Sequence, residues 1–529
     1  MKCKISCSFG EIVDKVTILN IKLQKATQTN VLSNIRKELN IITSENPTVK
    51  KKDELFEKLS IINQQLWNLE DMIREKSRKK EFDKQYIEYA EFIHKTNDKR
   101  YLIKRQINEK YSSELKEEKI YNRTVIKVDK NDVNRLEIGK KLWTDGHYQE
   151  SYDCISKIME KYKNYDTLDS FFVDLLFSFS NACSIFNRVN KYEQKIFSLM
   201  KNIEDLPITT IQKNFCKHIF STLCLKRKKY KKSGNYINHI NYITGPNISY
   251  DNMSFFQQDD KLKTLLLYDG GGIGDKFMLS RFISIVCKTY KNNRVSFLVN
   301  DNISWFFQNI FDYSNIEIIP YSQKHMIRHF DYHCNLLSLI KYLNITYDTI
   351  TYQNINDRLN VSVSDKCQRI LDNIKPKTYI LNWKGNKENP HEKHNRMMNL
   401  TNAIPLFKLK DVNWIVVTKD ISPQERKLLK KYNIDYYGDT IDQNKAFYDT
   451  ISIMRNVDGI VSTDTSLPHL SLTLGIKTFV LLTLGCEWRW GDEKTTKWYP
   501  DAILLKQTKF KIWKDVIDNL INYLSSPVS

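Results

Sequence analysis

Residues 263–275 read Lys-Thr-Leu-Leu-Leu-Tyr-Asp-Gly-Gly-Gly-Ile-Gly-Asp. Lys263–Tyr268 has the unbroken apolar character of a strand covered on both faces, and the glycines after it allow a sharp reversal of the chain. A helix follows from Lys276 through about Tyr290, and Arg294–Val299 is the next strand. Further strands are legible at Ile316–Ile319, Thr378–Asn382, Trp414–Val417, Gly459–Ser462 and Thr478–Leu482. Strands alternating with helices predict parallel sheets covered on both faces. Over roughly 260 residues, two such sheets are expected rather than one.

Upstream the pattern changes. From Glu11 to about Tyr121, apolar residues recur at steps of three and four, as in Ile12, Val16, Leu19, Leu23 and again in Leu55, Leu59, Ile62, Leu66. Pro47 is the only proline there, which favours long helices in an antiparallel hairpin or small bundle. Residues 125–245 remain helical. Leu136–Tyr162 places Gly139, Leu142, Gly146, Tyr148, Ser151, Tyr152 and Ile155 as a helix–turn–helix repeat of tetratricopeptide type would, in one good copy, although an ordinary helical hairpin fits the same residues. Leu168–Phe186, apolar but broken by Asp169, Asp174 and Asn181, is expected as a buried helix rather than a membrane span. Gly245-Pro246 and the polar stretch through Asp260 mark a boundary. The expected divisions are 1–122, 123–250, 261–375 and 376–529.

The chain has 529 residues and a formal charge of +20 from 82 Lys and Arg against 62 Asp and Glu. Basic residues outnumber acidic ones by 25 to 19 in 1–120, 21 to 13 in 121–250 and 36 to 30 in 251–529. So even a spread does not describe a nucleic-acid-binding face, and no nucleic-acid partner is expected. The dense run at 226–232 (Lys-Arg-Lys-Lys-Tyr-Lys-Lys) is the candidate for peripheral contact with an anionic membrane or acidic glycan. The ten cysteines form no CxxC pair, so neither a zinc site nor a disulfide framework is expected. The first residues lack the apolar segment of a secretion signal, and a cytoplasmic protein is expected.

Two segments are placed to do chemistry. At Gly271, Gly272 and Gly274 the turn offers backbone N–H groups to an anion, although its spacing fits neither a P-loop nor a clean dinucleotide fingerprint. Asp275 either points into the crevice at the carboxyl end of a strand or caps the helix. In Ser462-Thr463-Asp464-Thr465-Ser466-Leu467-Pro468-His469, hydroxyls and a helix N-terminus converge as a diphosphate site requires. His469 is either a ligand to phosphate or a packed core residue.

These residues carry a resemblance. Asp464 through Leu470, Gly475, Glu487-Trp488-Arg489-Trp490 and Trp498-Tyr499-Pro500 resemble the C-terminal signature of glycosyltransferase family nine, the heptosyltransferase family, in its tetratricopeptide-fused branch. Gly272-Ile273-Gly274-Asp275, Asp331 with Leu337-Ser338-Leu339, and Trp383-Lys384-Gly385-Asn386 followed by Arg396 are similar to its other segments. The match spans about 262–507. In the N-terminal part, Phe9 through Leu19, Leu66-Trp67, Glu70-Asp71, Asn97 through Arg100, Lys104-Arg105 and Ile107-Asn108 are similar to a helical family of unknown function, over 5–121.

The family resemblance implies an α/β GT-B fold, two facing Rossmann-like domains, here preceded by an all-α region. It implies inverting, metal-independent transfer from a nucleotide-sugar donor to a glycan or glycoconjugate hydroxyl, with no cofactor. Asp275 matches the family's base, Asp464, Thr465, Ser466 and His469 its donor loop, and Lys384 and Arg396 are the cations for the diphosphate. Ser466 stands where many relatives have glycine. The stretch between Asn386 and Arg396 is unusually charged, with His391 and His394 expected as exposed loop residues. A protein partner is expected through the helical region. The alternatives are a catalytically inactive helical-repeat scaffold or binding protein with a GT-B-like module, and a nicotinamide oxidoreductase, whose glycine and acidic fingerprint is not evident.

Overall fold

The computed structural model describes residues 5–50, 53–118, 128–163, 165, 169–186, 188, 190–206, 208–237, 263–268, 271–327, 330–352, 354–386, 392, 396–491 and 493–526. The expected boundary at 245–260, Asp269, Gly270, His391 and His394 lie outside the described residues. The chain forms two compact units, Met1–Val125 and Ile126–Ser529.

The first unit is helical: α1 (Phe9–Lys25), α2 (Thr29–Glu45), α3 (Glu54–Arg78) and α4 (Lys84–Lys110). Side chains of Ser8, Asp53 and Asp83 accept from backbone N–H groups of the first turns of α1, α3 and α4 and fix where these helices begin. The long helices α3 and α4 form a hairpin, and α1 packs against both around Val13, Val16, Phe56, Leu59 and Ile107. Some of the polar residues that carry the N-terminal resemblance turn inward, while Asp71, Lys99 and Arg105 stay exposed. Arg100 donates twice to buried Asp14, which also accepts from Asn63 Nδ2 at 2.8 Å, and Lys104 pairs with Glu11. Asn108 Oδ1 accepts from Gly10 N at 2.6 Å. A Cβ at Gly10 would lie 2.6 Å from the Lys104 carbonyl, so glycine is what lets α1 and α4 touch.

The second unit opens with α5 (Lys130–Thr144), α6 (Tyr148–Lys161), α7 (Ser170–Ile185), α8 (Glu193–Leu199), α9 (Thr210–Lys226) and α10 (Tyr230–Ile237). Helices α5 and α6 form a tight pair: Ser151 Oγ donates to the Gly139 carbonyl at 2.7 Å, and Gly146 turns the chain at φ +81°. As expected from its apolar run, α7 is buried nearly all round.

Two parallel sheets follow. The first has the order β3-β2-β1-β4, from β1 (Thr264–Tyr268), β2 (Arg294–Val299), β3 (Ile316–Pro320) and β4 (Tyr332–Asn335), with α11 (Ile273–Thr289), α12 (Asp301–Ile310) and α13 (Leu339–Tyr342). The second has the order β10-β9-β8-β5-β6-β7, from β5 (Thr378–Asn382), β6 (Asn413–Val416), β7 (Asp435–Tyr436), β8 (Gly459–Thr463), β9 (Thr478–Leu482) and β10 (Ile503–Lys506). Its helices are α14 (Asp365–Leu371), α15 (Ile404–Phe407), α16 (Pro423–Lys431), α17 (Tyr448–Met454), α18 (Ser466–Thr473) and α19 (Lys514–Ser525). Both sheets are doubly wound, with the order reversing between β1 and β4 in one and between β5 and β8 in the other. Ligands in such sheets bind outside the carboxyl ends of the strands at that reversal.

The seven expected strands form. Three more, β4, β7 and β10, complete the edges and one reversal. β4 is Tyr-His-Cys-Asn, too short and polar to signal a strand by itself, and β7 is two residues long. Among the described residues no helix is long and apolar enough to cross a membrane.

Candidate functional site

The reversals of both sheets open onto one cavity of about 440 Å³. Gly271, Asp275 and Lys276 reach it from the carboxyl end of β1, and Asn335, Leu336 and Leu337 from the end of β4. Asp464 reaches it after β8, and the loop after β9 contributes Thr483 and the run Gly485–Arg489. Arg396 closes the floor.

Helix α11 begins at Ile273, three residues earlier than the sequence pattern suggests, which makes Asp275 a residue of its first turn. Asp275 Oδ2 accepts from Gly272 N at 3.0 Å, and Oδ1 accepts from Arg489 Nη2 at 2.5 Å. Asp275 therefore caps the helix with one oxygen and faces an arginine of the other sheet with the second. The two readings of this residue are compatible.

Helix α11 lies against α18, whose His469 occupies the space that a side chain at Gly274 would take: a Cβ there would fall 2.5 Å from His469 Cδ2. His469 is buried, stacked on Trp490 at 4.9 Å, with its Nδ1 3.0 Å from Tyr499 Oη. Burial pushes its imidazole toward the neutral form and the Tyr499 hydroxyl up to about 12. It lies outside the cavity lining, beneath Asp464, with Nε2 3.7 Å from Asp464 Oδ1.

The floor is an ionic cluster. Arg396 Nη2 donates to Glu487 Oε1 at 2.8 Å, and its Nε stands 3.6 Å from Asp464 Oδ2. Burial by itself would raise both acids, but Arg396 outweighs it and holds Asp464 well below the usual carboxylate range and Glu487 at about 2. Arg489 stays charged against its own burial because Asp275, Glu487 and Asp464 surround it. Two atoms here lack a hydrogen-bond partner, Asp464 Oδ1 and Arg489 Nε. Buried polar atoms left in that condition are costly unless a ligand or solvent completes them. Four cations, Lys226, Lys276, Arg396 and Arg489, line the cavity against three carboxylates, Asp275, Asp464 and Glu487. Among the described residues no three His, Cys, Asp or Glu side chains are grouped as a metal site requires.

The remaining expected residues lie apart from the cavity. Thr465 is the N-cap of α18 and takes a 3.1 Å hydrogen bond from Asn382 Nδ2, which also donates to Ser462 Oγ and so ties β5 to β8 at the reversal. Ser466 starts α18 and is not in the lining; nor is Gly272, which donates its N–H to Asp275. Lys384 turns the other way, donating to Glu425 Oε2 at 2.7 Å and to the Asp420 carbonyl. Glu425 also caps α16 and accepts from Trp383 Nε1, so Lys384 completes a polar knot rather than a diphosphate site.

Sequence reasoning gave no role to Arg489 and Glu487, although both stand in the quoted Glu-Trp-Arg-Trp stretch. Two charges alternating with two tryptophans were the available signal. It also left the helical section out of the site. Trp143 of α5, Ser180, Asn181 and Ser184 of α7, and Phe215, His218 and Thr222 of α9 form a third wall of the cavity. That wall is fixed by direct contact. The carbonyl of Ile185 lies 2.1 Å from where a Cβ at Gly485 would stand, and Trp498 Nε1 donates to Tyr230 Oη at 2.8 Å.

Residues 1–136 match the family described as "Family of unknown function (DUF6165)". No curated protein matches the chain. Among solved structures, E. coli heptosyltransferase WaaC with ADP aligns at 10% identity and a TM-score of 0.30, covering 50% of this chain and 100% of its own. E. coli ADP-heptose lps heptosyltransferase II aligns at 10% and 0.32, covering 49% and 98%. The glycosyl transferase family 9 structure from Veillonella parvula DSM 2008 aligns at 10% and 0.31, covering 49% and 95%.

Proposed function

We propose that the protein is an inverting, metal-independent glycosyltransferase of GT-B architecture that moves a sugar from a nucleotide-sugar donor to a hydroxyl of a glycan or glycoconjugate. One observation carries the reading: two doubly wound sheets open at their reversals onto the same cavity, with a carboxylate, Asp275, on one side and Arg396 and Arg489 on the other. Several of the sequence motifs that resemble glycosyltransferase family nine, those around Asp275, Asp464 and Glu487–Arg489, contribute residues to this cavity.

The chemistry assigned to the residues balances as follows. An acceptor hydroxyl oxygen bonds to the anomeric carbon of the donor while its proton passes to the Asp275 carboxylate. The bond from that carbon to the diphosphate oxygen breaks, its electron pair leaves with the nucleoside diphosphate, and Arg396 and Arg489 face the added charge. Arg489 Nη2 donates to Asp275 Oδ1. A bound diphosphate offers it competing oxyanions and relieves Asp275 of its partner. Asp464 and Glu487 hold the Arg396 guanidinium in place.

The test is release of nucleoside diphosphate from a panel of nucleotide sugars by the full chain. Asp275→Asn is expected to cut transfer by about 10²–10⁴-fold, the usual worth of a general base, while calorimetry shows nucleoside diphosphate binding retained. Absence of release from every donor, or equal release by the variant, overturns the assignment.

A further inference from the structure

We infer that the helical wall is the acceptor subsite of this cavity and that it receives the uncharged sugar terminus of a glycan. This rests on the glycosyltransferase reading above and adds the substrate class and the residues that select it.

Charge is segregated across the cavity. Asp275, Lys276, Arg396, Asp464, Glu487 and Arg489 all come from the two sheet halves. Among the described residues of the helical wall only Lys226 is permanently charged, and its ammonium donates to the Ser184 carbonyl at 3.2 Å and lies in the field of Glu487. What the wall presents instead is hydroxyls and an amide (Ser180, Asn181, Ser184, Thr222) interleaved with the rings of Trp143 and Phe215; the Ser184 and Thr222 hydroxyls donate to carbonyls of their own helices and keep lone pairs to accept from a sugar hydroxyl. A pyranose has an apolar C–H face and a rim of hydroxyls, and aromatic faces beside neutral donors and acceptors complement both. A sulfate, carboxylate or phosphate on the acceptor would meet on this side only Lys226, already bonded to the Ser184 carbonyl and set toward Glu487, and would be drawn to the floor, where the donor diphosphate belongs.

Size and rigidity point the same way. A cavity of about 440 Å³ is within the roughly 300–1,000 Å³ of small-molecule sites, so a macromolecular acceptor enters by its end and not by a face. The wall does not have to assemble around it. The Gly485–Ile185 contact and the Trp498–Tyr230 hydrogen bond hold the wall against the loop that carries Glu487 and Arg489. Such preorganisation lowers the entropic cost of binding a floppy chain end.

The experiment uses the full chain on an array of neutral glycans, sialylated and sulfated glycans and unmodified peptides, with ADP, UDP or GDP present at saturation. Retention on neutral glycans is expected. Phe215→Ala and Asn181→Ala should each weaken it by about tenfold, the worth of one good contact, with nucleoside diphosphate affinity by calorimetry and the melting temperature unchanged. Phe215 is 37% exposed, so its removal does not hollow the core. Binding unaltered in both variants, binding confined to acidic glycans or peptides, or no binding to any feature overturns the inference. If the chain binds no nucleoside diphosphate at all, the glycosyltransferase reading fails instead. If it binds nucleotide and transfers sugar with both variants unimpaired, the acceptor assignment alone falls.

Discussion

Asp275 and Arg489 meet across the cavity from opposite sheets, 214 positions apart in the chain. Neither partner announces the other. The glycine turn and the first helical turn place Asp275, which sequence shows, whereas Arg489 lies in a loop whose path no periodicity fixes. Lys384 illustrates the converse, a cation beside a plausible motif that is taken up by Glu425 one helix away. Glu487 provides a pH signature. In the unfolded chain it titrates near 4.5, and in the folded chain the adjacent arginines hold it at about 2. A depressed carboxylate contributes stability above its unfolded pKa and loses that contribution as pH falls through the folded one. Denaturant midpoints should therefore fall as pH is lowered from 4.5 toward 2, with Asp464 acting in the same sense. In Glu487→Gln that acid limb should flatten, while the variant is less stable near neutrality because Arg396 keeps its buried charge without this partner.

Helices α11 and α18 are the elements on which the site depends, since each starts at a sheet reversal and they cross at Gly274. Their existence was legible from strand–turn–helix patterning, and so were seven of the strands. Strand order was not, because parallel strands buried on both faces look alike in sequence and only the connections decide which become neighbours. The role of Gly274 was also hidden, since its motif suggests a tight turn while the structure spends it on a close approach to His469. Gly274→Ala should therefore destabilise by about 1–3 kcal/mol, as overpacking does, measured as a fall in melting temperature. Because the floor moves with α18, nucleoside diphosphate affinity should fall with it. A helix that merely tolerated glycine would instead gain stability from alanine.

Across the molecule, composition separates a helical front from a parallel-sheet back, and that coarse division holds. Its bearing on the site is less simple, since helices α5 to α10 belong to the same compact unit as the sheets and three of them, α5, α7 and α9, complete the cavity. The buried ring of Tyr230 and its hydrogen bond to Trp498 show how intimate the joint is. This sets where the protein can be cut. A chain beginning after residue 260, the place that a change of sequence style recommends, would bare Trp488 and Trp498 and leave the indole N–H of Trp498 without its acceptor. Such a fragment should aggregate or melt well below the intact protein, whereas one beginning near residue 126 should keep a single cooperative transition. The sheet-bearing half is thus no detachable cassette, and fusing or swapping its helical neighbour would amount to rebuilding the cavity from one side.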